Sequence, residues 1–268
     1  MNLVANARMY SATPSLRADW KELLHWVLQR AELPWDVIDY DAPAPLNTLW
    51  ARDDLGLAMM CGLPFSQRGV RPTLVAAPIP SPARYEGQAR YCSDIVVRAD
   101  APYQRLEDTF GGTVGYTLVD SMSGGVNFRH HLAPYREARG ARLYKAAVGN
   151  LIHARGVIEA LVTGRIDVGP LDGYFHDLLR HADPAFAGQV RVIASTQWLP
   201  IPPLVATAKL SDAELARLRK ALADVANADD LAPLRARLLL AGFAFPDVSH
   251  YAVLDAMERR SILVFEEL

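Results

Sequence analysis

Leu16, Trp20, Leu23, Leu24, Val27 and Leu28 recur at helical spacing, so 15–32 predicts an amphipathic helix behind a short apolar run, 2–5, that reads as a strand. The pair makes a βα unit, and the same alternation returns along the chain. Strands are expected at 35–40, 56–61 and 74–77, with a short helix at 45–50. The 56–61 run is wholly apolar, as befits a strand covered on both faces. At 91–98 the run YCSDIVVR has a β-branched centre and neither Gly nor Pro, which suits a long strand leaving a first lobe. Further strands are expected at 114–118, 141–147, 166–171 and 190–195, and helices at 124–131, 155–162 and 174–181. The proline-rich LPIPP at 199–203 marks a return crossover ahead of the apolar run 204–206. The tail then reads as mainly helical. Ser211, Asp212, Ala213 and Glu214 have the spacing of a capping box, which starts a helix to about Asn227, and 231–240 and 251–260 continue in the same style.

Strands alternating with helices imply an α/β fold with a mainly parallel sheet flanked by helices in each half. A chain of 268 residues has room for two compact units of roughly 100–150 residues each. The two crossovers divide it into a first lobe of 1–95 plus 199–268 and a second lobe of 96–198.

Composition narrows the function classes. Hydrophobic residues make up 51% and charged residues 22%, a globular balance. Twenty-eight Lys and Arg against thirty Asp and Glu leave a charge of −2, so the basic field that holds nucleic acid is missing and nucleic acid is excluded as a partner. No apolar run approaches the ~20 residues of a membrane-spanning helix. The start, MNLVANARMY, lacks the features of an export signal. A periplasmic location would follow from a leader already removed and a cytoplasmic one from a complete chain, and both stay open. Cys61 and Cys92 show no CxxC spacing, and two buried thiols are expected ahead of a disulfide. His130 and His131 are adjacent in a helix and so do not share a face, which makes a poor metal site. HExxH, GxSxG, Walker A and GxGxxG patterns are absent, and neither cofactor nor metal is expected.

The stretch richest in chemistry is GYTLVDSMSGGVN at 115–127, where a strand runs into two serines and two glycines at a helix start. Free N–H groups and the positive helix end attract a phosphate or carboxylate, hydroxyls add donors, and glycine permits close approach. The same residues fit a plain helix cap, and spacing leaves both readings open.

Met9 and Tyr10, MCGLP at 60–64, YCSDIVVR at 91–98, DSMSG at 120–124 and IEALVTGRIDVGPLD at 158–172 together resemble the phosphonate/phosphate-type substrate-binding proteins of ABC transporters. The resemblance implies a two-lobed type II periplasmic-binding-protein fold closing on a small anionic or zwitterionic ligand in a cleft between the lobes. It carries Ser121, Ser123 and the N–H groups of Gly124 and Gly125 over as anion donors, and Tyr10 as a lid or donor from the first lobe. GNLIH at 149–153 matches a family Gly-Ser-His segment loosely, with His153 one residue out of step. Asp172 matches an acid that can bind a ligand amine, and equally fits a helix cap. Leu63 stands where these relatives often carry Tyr, and Phe65, Tyr85 and Trp198 are alternative aromatic walls for which core packing is the commoner fate. An ABC permease is the implied partner. The competing readings are an enzyme of menaquinone or thiamine-precursor type on the same fold, with His153 and Asp172 as the candidates for its acid or base, and a sensor that needs no export.

Overall fold

The computed structural model describes residues 2–41, 44–260 and 264–268. The chain divides into two compact units, the first made of residues 1–90 and 200–252 and the second of 91–199 and 253–268.

The chain opens with β1 (Val4–Asn6) and α1 (Pro14–Arg30). Thr13 caps α1 by accepting the Leu16 N–H at 3.2 Å, and Pro14 sits at the first helical position, where its missing N–H costs nothing. The six apolar positions named above are all buried, each worth about 1.5–3 kcal/mol relative to exposure. There follow β2 (Asp36–Val37), α2 (Leu46–Trp50), β3 (Leu55–Met59), α3 (Gly62–Gln67), β4 (Thr73–Pro80) and the crossover strand β5 (Arg90–Tyr91).

Past that crossover come β6 (Ser93–Arg98), β7 (Thr113–Gly115), α4 (Asn127–Arg139), β8 (Ala146–Val148), α5 (Ala154–Val162), β9 (Gly169–Asp172), α6 (Gly173–Ala182), α7 (Pro184–Ala187) and β10 (Val190–Ser195). The chain returns through β11 (Leu199–Pro200), which pairs with β5. It then runs through β12 (Leu204–Ala206), α8 (Asp212–Asp224), α9 (Ala232–Arg237), β13 (Leu240–Ala244) and α10 (Ala252–Arg260).

Unit 1 holds a six-stranded sheet in the order β13-β4-β12-β3-β1-β2, and unit 2 holds β10-β6-β9 together with the pair β7-β8. The expected α/β alternation is present, but the sheets are mixed rather than mainly parallel. β1 runs parallel to β2 and β3, and β7 to β8, whereas β12 is antiparallel to β3 and β4, and β6 to both β9 and β10. The reason is connectivity. β12 enters unit 1 from the return crossover, and β6 enters unit 2 from the outgoing one, so each inserts without a βαβ turn of its own.

The tail corrects the expected lobe boundary. Residues 253–268 belong to unit 2, not to the first lobe, because Phe265 and Leu268 complete its core. Phe265 stacks on Tyr116 at 4.1 Å and 5°, and the Leu268 carbonyl accepts the Leu143 N–H at 2.5 Å. The 231–240 segment is also shorter in helix than its pattern implies, giving way to β13, which pairs antiparallel with β4. Tyr10, Phe65 and Tyr85 are buried, Phe65 edge-on to Tyr251 at 5.1 Å, while Trp198 is 37% exposed. Cys61 is half-buried and Cys92 buried.

Candidate functional site

Three of the expected site residues cap three helix entries of unit 2. At the first, β7 leads through Tyr116 and Thr117 to a π turn, Met122–Val126, that continues into α4. Ser121 is its N-cap, with Oγ accepting the Gly124 N–H at 3.2 Å, and the Ser121 carbonyl accepts the Val126 N–H at 2.9 Å. The hydroxyl therefore acts as acceptor while retaining a proton to donate. Met122 and Ser123 supply first-turn N–H groups, which have no acceptor within a helix. Ser121 and Ser123 are half-buried.

Gly124 and Gly125 have a reason other than ligand approach. A Cβ on Gly124 would overlap the Thr117 hydroxyl, and one on Gly125 would overlap the Leu118 carbonyl and lie 2.8 Å from that of Val119. The glycines thus let the strand-to-helix connection fold back onto the helix start. Thr117 N–H completes the closure by donating to the Gly124 carbonyl at 3.1 Å.

Beneath the turn lies a buried polar layer that periodicity did not single out. Ser93 Oγ donates to the Ser123 carbonyl at 2.7 Å, and Ser93 N–H donates to Thr196 Oγ1 at 2.9 Å. Asn127 Nδ2 donates to the same Thr196 oxygen at 2.6 Å. Ser93 and Asn127 are fully buried and Thr196 is 5% exposed. Arg129, also buried, donates to the Val119 carbonyl at 3.0 Å and lies over the Phe265 ring at 5.5 Å. Burial pulls its guanidinium down, Glu258 opposing. Next along β6, Asp94 accepts from Ser195 Oγ at 3.2 Å and pairs with His176 Nδ1 at 2.8 Å, both partners fully buried. The one signal in the sequence for this layer was the pair Ser93-Asp94 inside an otherwise apolar strand.

At the second entry, His153 caps α5, its Nδ1 accepting the Gly156 N–H at 3.2 Å. This places the ring proton on Nε2, and the side chain is exposed. Asn150 and Ile152, just before it, stand at φ 56° and 67°, a left-handed conformation that strains a β-branched residue.

The third entry is capped by Asp172, whose Oδ1 accepts the N–H groups of Tyr174 and Phe175, each at 3.0 Å. Its negative charge already offsets the positive end of α6. With burial as the larger cause, it pushes the Tyr174 phenol well above its usual value. Asp172 pairs across the sheet with Ser93, which brings it into the same layer as the Ser121 turn. Tyr10 closes the turn Arg8–Tyr10 in unit 1 and is 1% exposed. Among the described residues there is no cluster of His, Cys, Asp or Glu able to hold a metal, and no helix is long and apolar enough to cross a membrane.

Comparison with known proteins gives a family and a fold. The sequence model of the family described as ABC transporter, phosphonate, periplasmic substrate-binding protein matches residues 10–251. No curated protein sequence matches. Among solved structures, a binding-protein component of an ABC phosphonate transporter from Pseudomonas aeruginosa superposes with a TM-score of 0.78 at 18% identity, over 97% of this chain and 87% of that one. PhnD1 from Prochlorococcus marinus, in complex with methylphosphonate, gives 0.74 at 13%, over 96% and 97%. A Xanthomonas citri protein bound to ATP gives 0.66 at 21%, over 97% of both chains. The shared architecture is the two-lobed type II periplasmic-binding-protein fold.

Proposed function

We propose, from the premise that this chain belongs to the family of periplasmic substrate-binding proteins of phosphonate ABC transporters, that its ligand is a phosphorus oxyanion held on the turn from Ser121 to Gly125. The general activity is substrate binding. One observation carries the finer reading: Ser121 Oγ receives the Gly124 N–H at 3.2 Å at the start of a helix, so its proton is left for an acceptor outside the chain. The first-turn N–H groups and the positive helix end add to that donor field. Methylphosphonate in the Prochlorococcus protein and ATP in the Xanthomonas protein have the phosphorus oxyanion in common, which supports the same ligand class.

In this reading Ser121 and Ser123 donate to the ligand oxygens, with backbone N–H groups of the turn beside them. Gly124 and Gly125 shape the turn, and the Gly124 N–H acts through Ser121. Asp172 receives the amine of a zwitterionic ligand. Tyr10 and His153 enter on the resemblance alone, and Tyr10→Phe and His153→Ala test them. The partner implied by the family is an ABC permease.

The test is thermal denaturation with inorganic phosphate, methylphosphonate, an aminoalkyl phosphonate, ATP and sulfate, on the protein and on Ser121→Ala/Ser123→Ala. At 100 times its dissociation constant a ligand adds about 2.7 kcal/mol to stability. A rise with a phosphorus oxyanion that the double variant lacks supports the reading. A rise that survives in the double variant places the ligand elsewhere, and no rise with any probe removes the ligand class.

A further inference from the structure

The Ser121 hydroxyl is the outer end of a hydrogen-bond chain that begins in the buried layer. A peptide unit is planar, so the Ser123 carbonyl and the Gly124 N–H point in opposite directions along one rigid plane. Ser93 Oγ holds the carbonyl side at 2.7 Å and Ser121 Oγ receives the N–H side at 3.2 Å. Fixing one side aims the other, and donation into the carbonyl polarises the N–H that reaches Ser121. Ser93 is in turn fixed through Thr196, whose hydroxyl oxygen accepts from Ser93 N–H and Asn127 Nδ2 and donates to the Gln197 carbonyl at 3.3 Å. Both acceptor positions and the single proton of that hydroxyl are in use.

We propose that Ser93, Thr196 and Asn127 are positioning residues for the anion turn, orienting the 123–124 peptide and through it the Ser121 hydroxyl. None of the three is exposed enough to touch a ligand. Their place in the chain adds a consequence. Ser93 lies just past the outgoing crossover strand and Thr196 just before the return one, so both passages of chain between the units are tied to the turn by these bonds. The proposal rests on the reading of that turn as the oxyanion site.

The variants are Thr196→Val, which keeps the shape and removes the hydroxyl, Thr196→Ser, which restores it, and Ser93→Ala. Amide hydrogen exchange over 121–126 without ligand reads the turn directly, and calorimetric titration with methylphosphonate and inorganic phosphate reads the site. Thr196→Val leaves the Ser93 N–H and Asn127 Nδ2 without their acceptor, and Ser93→Ala leaves the Ser123 carbonyl without its donor. Thr196→Val and Ser93→Ala should each speed exchange at the Gly124 amide by about tenfold, with exchange over α1 unchanged, and weaken whichever probe binds by about tenfold. Thr196→Ser should stay within about threefold of the parent in both.

Unchanged exchange at the turn in Thr196→Val and Ser93→Ala would overturn the proposal, as would exchange rising equally over α1, the mark of general loosening. If neither probe binds the parent protein, the oxyanion reading fails, while exchange still decides whether the three residues hold the turn.

Discussion

Two serines in this molecule cap helices in the same way and differ in what stands three residues on. In unit 1, Ser211 caps α8 and Glu214 reaches back, its Oε2 accepting the Ser211 hydroxyl at 2.7 Å and the Ser211 N–H at 2.8 Å. In unit 2, Ser121 caps the turn into α4 and the matching position is Gly124, which has no side chain to return. Both oxygens accept the N–H of that third residue, at 3.3 and 3.2 Å. The proton of Ser211 is therefore given to an internal carboxylate, and that of Ser121 is available to an external one. Glu214 shows within this chain what an oxyanion at Ser121 would do. On the proposed reading, a capping box with its acid deleted supplies half of an anion site.

The comparison breaks most sharply if Ser121 is made to carry its own acid. Aspartate caps as well as serine, so Ser121→Asp should keep the Gly124 hydrogen bond and leave the thermal midpoint within a few degrees of the parent. Its carboxylate then opposes the incoming oxyanion, and like-charge juxtaposition costs several kcal/mol. Binding of methylphosphonate or phosphate should fall by more than about 100-fold in a calorimetric titration. Affinity retained within threefold would mean that the ligand does not rest on Ser121.

Next in size is the effect of filling the missing side chain. At 214 the helix start carries a half-buried glutamate. At 124 a Cβ meets Thr117, and overpacking of this kind typically costs about 1–3 kcal/mol. Gly124→Ala should lower the urea midpoint accordingly, whereas Glu214→Ala should not approach that loss. Equal losses would remove the packing explanation for the glycine and return it to ligand approach.

What could be read in the sequence follows the range of the interactions. The cap at Ser121 and the box at 211–214 are three-residue relations, and their spacing is visible in the chain. α1 was legible because six apolar residues at helical spacing all face one core. The β-branched run at 91–98 and the proline-rich stretch at 199–203 are local features that stand out in the chain. The polar layer was not legible, because Ser93, Asn127 and Thr196 are separated by 34 and then 69 residues and meet only in the fold. Mixed strand directions escaped for a similar reason: β12 and β6 have ordinary strand patterns, and their sense is set by the crossovers. The tail was misassigned because Phe265 and Leu268 give no hint of which core they enter. Glycines 124 and 125 read as room for a ligand, and their spacing gives no sign that they also make room for Thr117 and the Leu118 and Val119 carbonyls.

The smallest effect separates the two caps by pH. Hydrogen bonds from Ser211, side chain first and backbone second, hold the Glu214 carboxyl below its ordinary value of 4.5. A depressed carboxyl stabilises the fold fully above its unfolded value and loses that contribution as pH falls through the lower folded one. The group is half-buried at the surface, so solvent screening reduces the gain to roughly half a kcal/mol at neutral pH. Glu214→Gln should unfold slightly earlier than the parent at pH 7, and the gap should close as pH falls below the ordinary value of 4.5 in denaturant titrations. Without ligand the Ser121 cap has no carboxylate to lose over that range, so Ser121→Ala should show a pH-independent deficit. A gap for Glu214→Gln that persists to pH 3 would mean that the box acts by shape rather than charge, and the analogy between its carboxylate and a bound oxyanion would fail with it.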